Sequence, residues 1–268
     1  MDRSPALLLN TPAIELWPAR LLRARSNADA RLLARAHWVL RRKRDGRYLA
    51  AVLPSGVHSL VTHLPREPGV EGALDALDTV PRHGGRSTLE DVDLALDGLH
   101  ARLQRLGLDV DDYARSSGLA LEAEPALLHA AGRDRFGRPV WLRRDAAQAW
   151  RRMRAAAQRQ GIALDAISGY RSHDYQLGIF ERKLARGQTV SGILTVNAAP
   201  GFSEHHTGLA LDIGTPGDPP AEEGFEQTRA FAWLQDNAGA HGFRLSYPRD
   251  NPHGIVYEPW HWRWHAGR

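Results

Sequence analysis

The sequence predicts an α+β fold, and three features carry that expectation. A C-terminal run, "EPWHWRWH" (Glu258 to His265), alternates indole and polar side chains with a period of two, the pattern of a strand packed on one face. Other stretches place apolar residues at helical spacing between a capping residue and a glycine. Asp45-Gly46, between two apolar runs, marks a β-hairpin.

In chain order, "NADARLLARAHWVL" predicts a helix capped at Asn27, and "WVLRRKRDGRYLAAVL" predicts the hairpin. "THLPREPGVEG" is rich in Pro and Gly and reads as a loop. Ser87 to Gly107 opens with an S-x-x-E capping pattern, Ser87 and Glu90. It then spaces Leu89, Val92, Leu96, Leu99 and Leu103 for a helix that Gly107 ends. The histidines of this part (His37, His58, His63, His83, His100) form no chemical pattern and are expected on surfaces or in cores. Further on, "PVWL" predicts a short strand. Asp145 caps a helix to about Gln160, and Gly161 stops it. "IALDAISGYRS" reads as a strand and a turn, and "DYQLGIFERKLARG" as a helix ending at Gly187. The expected division is an N-terminal α+β region over 1–130 and a second domain over 131–268.

Composition narrows the chemistry. The chain has 268 residues, 43% apolar and 25% charged, within the globular range. It has no cysteine, so any metal site must use His, Asp or Glu. The net charge of +4 owes much to "RRKR" (Arg41 to Arg44) and "RRMR" (Arg151 to Arg154). No aromatic stacking platform accompanies these runs, so they read as solvated faces and no nucleic-acid partner is expected. The apolar run "ALLL" is shorter than a secretory core, and no segment approaches a membrane span. As written, the chain is expected to be cytoplasmic; the periplasm or cell envelope is the alternative if the start is misassigned. Oligomeric state stays open.

The chemistry gathers in "GFSEHHTGLALDIG", Gly201 to Gly214. His205 and Asp212 are seven positions apart, so on one straight strand they would face opposite ways. They converge only if the chain bends, and Gly208 is the residue that permits it. "LALDI" then reads as a buried strand that fixes Asp212 beside the core, where a carboxylate needs a partner. In the C-terminal run, Trp260, Trp262 and Trp264 share one face while His261 takes the other, with Glu258 just before. This matches a catalytic zinc site: three ligands, His205, Asp212 and His261, and an open position for water. Glu258 would be the base that takes that water's proton.

S-x-H-x-x-G-x-A-x-D followed by E-x-x-H, with "SGYRS" (Ser168 to Ser172) and "EPWHWRW", resembles the VanY-type D-alanyl-D-alanine carboxypeptidases. These share a zinc-site fold group with D,D-dipeptidases, lysostaphin-like endopeptidases and the hedgehog signalling domain. The resemblance covers roughly Arg138 to the C-terminus. It implies Zn2+ at His205, Asp212 and His261, Glu258 as base, and Arg171 as the group stabilising the oxyanion. Ser203 would contact substrate, with Gln176 and Ser172 near the same pocket. His206 stands where relatives commonly carry Gln and is not counted as a ligand; His241, His253 and His265 are expected to be structural or at the rim. The expected fold is thus α+β, with a small, mainly antiparallel sheet carrying the zinc site, flanked by helices, and an N-terminal α+β extension. The expected activity is removal of terminal D-alanine from a peptidoglycan stem peptide or muropeptide. Alternatives are an L,D-carboxypeptidase or D,D-dipeptidase with the same site, or a zinc-stabilised module that only binds cell-wall peptide or a protein.

Overall fold

The computed structural model describes residues 6–24, 26–80 and 87–267, so His83 lies outside the described residues. By its contacts the chain forms two compact units. One runs up to Ala95 and includes Pro125–Ala130; the other comprises Leu96–Glu124 and Ala131–Arg268.

In the first unit, β1 (Leu7–Asn10), β2 (Ile14–Pro18), β3 (Trp38–Arg42), β4 (Tyr48–Leu53) and β5 (Gly56–Ser59) form an antiparallel meander. The start of β6 (Leu127–Arg133) pairs antiparallel with the free side of β1. The run "ALLL" is therefore a strand. Period two sends Leu16, Leu40 and Ala50 to one face, where α2 (Val70–Asp78) covers them with Val70 and Ala73. Val39 and Ala51 go to the other face, beside Leu32 and Leu33 of α1 (Asn27–Leu33). Ser26 caps α1, accepting from the Asp29 amide at 3.0 Å, so the expected cap moves by one residue. The hairpin forms as expected, with Gly46 at φ 70° and Arg42 bound to Asp45. That guanidinium holds the Asp45 carboxyl down at about 2.

The helix expected from Ser87 does not form there. Glu90 turns its carboxylate to buried His129 (3.0 Å), the Val92 carbonyl accepts the Ala126 amide, and Asp93 bridges Pro125. Tertiary partners outcompete the local helical pattern. Helix α3 spans only Leu99–Arg105, and Gly107 closes it at φ 74°.

That helix and α4 (Val110–Ser117) belong to the second unit. Leu99, Leu103 and Val110 pack with Phe202, Tyr247 and Ile255. The expected boundary between 130 and 131 is corrected accordingly: residues 96–124 bury their apolar faces in the second unit.

There follow β7 (Pro139–Leu142), α5 (Arg144–Arg159), β8 (Asp165–Ser168), α6 (His173–Leu184), α7 (Val190–Leu194), β9 (Ala210–Gly214), α8 (Arg229–Asn237), β10 (Phe243–Leu245) and β11 (His261–Trp264). Asp145 lies in the first turn of α5, whose cap position is Arg143. The sheet runs β10-β11-β9-β8, antiparallel throughout. Its apolar face, with Leu211, Ile213 and Trp262, packs on Ala146, Trp150 and Met153 of α5. Trp260 and Trp264 rest against the same core, as their alternation with His261 requires. Among the described residues no helix is long and apolar enough to cross a membrane.

Candidate metal centre

The opposite face of that sheet carries the charged residues. His261 on β11 pairs directly with Asp212 on β9, so both side chains leave the sheet on the same side. His205 comes from the 3-10 turn Glu204–Thr207, and Gly208 at φ 67° folds the chain back into β9. The bend at Gly208 thus places His205 Nε2 3.2 Å from Asp212 Oδ1. His261 Nδ1 lies 3.1 Å from the same oxygen. His205, Asp212 and His261 are all buried and offer donor atoms within 4.8 Å of one another, a group able to hold a metal ion.

Their hydrogen bonds fix which nitrogens face inward. His205 Nδ1 lies 2.8 Å from the Gly169 carbonyl, which can only accept, so Nδ1 carries the proton. Its buried Nε2 makes no hydrogen bond among the described residues. His261 Nε2 donates to Glu204 Oε2 at 2.9 Å, which leaves Nδ1 towards Asp212. Two imidazole nitrogens then converge on one carboxylate oxygen, an arrangement that repels itself unless a proton or a cation sits among them.

The acidic surroundings favour positive charge on this side of the sheet, which a proton on His261 or a bound cation supplies. Burial, with help from Arg171, pushes His205 down to about 4, so the ring is neutral. Burial opposes charge on His261, but Asp212 and Glu204 outweigh it and raise it to about 10. Burial would likewise raise Glu204, yet the bond from His261 holds it at about 2. Asp212 is held well below the carboxylate range by both histidines, against its burial.

Glu258 stands just before β11, with Oε2 3.7 Å from His261 Nδ1. Burial first, then the negative charges of Asp212 and Glu204, push its carboxyl up to about 7. Arg171 approaches from the turn after β8; its Nη2 is 3.9 Å from Asp212 Oδ2. The cleft over these groups holds about 300 Å3, and Gln176, Ser203 and Tyr247 also line it. Gln176 donates to the Ala198 carbonyl at 3.1 Å while its buried Oε1 makes no hydrogen bond among the described residues. Ser172 does something else: it caps α6, accepting the Tyr175 amide at 3.1 Å, and is not among the cleft-lining residues.

His206 is fully buried and does not join the ligands. Its Nδ1 donates to the Arg171 carbonyl (2.7 Å), so its Nε2 accepts the Gly201 amide (3.0 Å). His253 donates to the Ser117 carbonyl, and His265 is exposed. Sequence reasoning missed Glu204, Tyr247 and the acidic pair Glu122 and Glu124. Glu204 stands beside His205, but one acid next to a histidine is no signal.

Residues 139–267 match the sequence profile of the VanY family, D-alanyl-D-alanine carboxypeptidase. Over 134 residues the chain is 40% identical to YodJ of Bacillus subtilis (strain 168), covering 46% of each protein. It is 33% identical over 131 residues to the bifunctional D-Ala-D-Ala dipeptidase and D-Ala-D-Ala carboxypeptidase VanXYC of Enterococcus gallinarum, covering 47% of this chain and 67% of that one. Among solved structures it is similar to the LdcB LD-carboxypeptidase, with 39% identity, 46% of this chain and 59% of that chain covered, and a TM-score of 0.43. The chain spans less than half the length of YodJ.

Proposed function

The chain belongs to the VanY-type D-alanyl-D-alanine carboxypeptidase family, and on that ground we propose that it is a zinc carboxypeptidase acting on peptidoglycan stem peptides or their precursors. The observation that carries this reading is the convergence of His205 Nε2 and His261 Nδ1 on Asp212 Oδ1, at 3.2 and 3.1 Å, beneath Glu258. Ligands of a tetrahedral zinc ion stand about 3.3 Å apart, given bonds of roughly 2.0–2.1 Å. The donor set of two imidazoles and one carboxylate also suits that ion.

When bound, zinc supplies Lewis acidity and brings a water's pKa down to about 7. The rest falls to the chain. Glu258, a buried carboxyl held near neutrality, accepts the proton of the attacking water and returns it to the leaving amine. Arg171, which lines the cleft wall, meets the negative charge that grows on the scissile carbonyl oxygen. Ser203 and Gln176 supply polar contacts for the peptide end. Tyr247 and Trp260 line the same cleft and add aromatic surface to its wall.

The test is a panel of tri-, tetra- and pentapeptide stems with the zinc-loaded protein, products being weighed by mass spectrometry. Release of D-alanine is expected from the pentapeptide or the tetrapeptide, and that choice assigns D,D or L,D specificity. Glu258→Ala should lose turnover by at least about 100-fold while keeping one zinc per chain. A wild-type protein that binds zinc yet cleaves none of the stems contradicts the proposal and favours a peptide-binding module.

A further inference from the structure

Arg171 presents a guanidinium whose own end is poorly anchored: among the described residues its Nε makes no hydrogen bond, and Nη2 stays 3.9 Å from Asp212 Oδ2. Its direction must therefore be set at its base, in the turn between β8 and α6. The backbone there is pinned from several sides. The Arg171 amide donates to the His205 carbonyl at 3.2 Å, and the Arg171 carbonyl accepts from His206 Nδ1 at 2.7 Å. Tyr170 just before it and His173 two residues after it are held by one carboxylate. Tyr170 donates its hydroxyl to Glu124 Oε2 at 2.6 Å, and the His173 amide donates to Glu124 Oε1 at 2.7 Å.

Glu124 is only 4% exposed and lies outside the region that matches the family profile, 139–267. A buried carboxylate is costly to desolvate, and it is tolerated only where strong donors meet it. Here each of its oxygens accepts from a residue flanking Arg171. We infer that Glu124 is a positioning residue for Arg171: it holds the 170–173 turn so that the guanidinium faces the reacting carbonyl. The inference rests on the role given to Arg171 above.

The experiment uses the full chain loaded with zinc and the D-alanine-terminated stem peptide it cleaves. Glu124→Gln replaces one accepting oxygen by an amide NH2 that faces a donor. It should lower kcat about tenfold and leave KM within about twofold, since the loss falls on the transition state. Zinc affinity should not move. Affinity for a phosphinate analogue of D-Ala-D-Ala should fall in step with kcat, and affinity for the product D-alanine should stay. In an Arg171→Ala background Glu124→Gln should add nothing. Tyr170→Phe removes a single donor and should show a smaller drop with the same dependence on Arg171; if Glu124→Gln does not fold, this variant carries the test.

Effects that multiply independently of Arg171 overturn the inference, as does a Glu124→Gln that lowers the melting temperature while kcat stays at wild type. Should Arg171→Ala itself keep full kcat, the role of Arg171 falls and this inference with it. With Arg171→Ala impaired and both Glu124→Gln and Tyr170→Phe unimpaired, the inference alone is lost.

Discussion

His261 owes its usefulness to a neighbour it was not expected to have. Glu204 Oε2, 2.9 Å from Nε2, accepts the hydrogen bond of the ring's Nε2–H and turns Nδ1 towards Asp212. Glu204 is itself held by Arg263 at 3.3 Å, and Arg263 by Glu122 at 2.6 Å. A histidine ligand backed by a carboxylate is a stronger base and a better-oriented one. Glu204→Gln should therefore weaken zinc binding by about 10–100-fold, read by competition with a chromophoric chelator. Substitution at Glu258, which touches no ligand proton, should leave that titration where it was. Equal affinities in wild type and Glu204→Gln would show that the ring holds its tautomer without help.

Elements bring these residues together, and here the sequence was readable to different depths. The turn at Gly208 and the meeting of Asp212 with His261 were legible because the proposed metal site needs certain residue types at spacings that only a bend can reconcile. The β9–β11 pairing that brings the two together came from the structure. The alternation in "WHWRW" named the face that His261 takes. Glu204 was not legible: its partner is 57 residues away, and only the register of β11 brings the two into contact. The helix from Ser87 failed for a related reason, since Glu90 and Val92 find distant partners stronger than a helical turn. Gly169, inside "SGYRS", hides a further constraint. A Cβ there would stand 2.9 Å from the Trp141 carbonyl oxygen and 2.9 Å from Val140 Cγ1, so β7 and the end of β8 approach too closely for any side chain. Gly169→Ala should cost roughly 1–3 kcal/mol as an overpacking change. Because the Gly169 carbonyl accepts from His205, zinc affinity should fall with stability. Thermal unfolding and zinc titration of this variant read both; an unmoved melting temperature means that β7 can step aside.

For the whole chain, the consequential finding is that residues 96–124 belong with the unit that carries His205, Asp212 and His261, although the family profile begins at residue 139. That stretch lies before the matched region, and its contribution is spread over apolar packing and two acids. Leu99, Leu103 and Val110 cover Phe202 and Tyr247, Glu122 holds Arg263, and Glu124 holds Tyr170 and His173. A fragment starting at Ala131 strips that cover and leaves an exposed apolar patch, the usual prelude to aggregation. A fragment starting at Leu96 keeps all of it. The longer fragment should fold, bind one zinc and respond to chelation. A ligand present at 100 times its Kd adds about 2.7 kcal/mol, so EDTA should lower its melting temperature by roughly 5–10 °C for a unit of this size. The shorter fragment should aggregate, or melt with no dependence on zinc. If it melts cooperatively and shifts with EDTA as the longer one does, residues 96–124 are dispensable and the metal centre is complete without them.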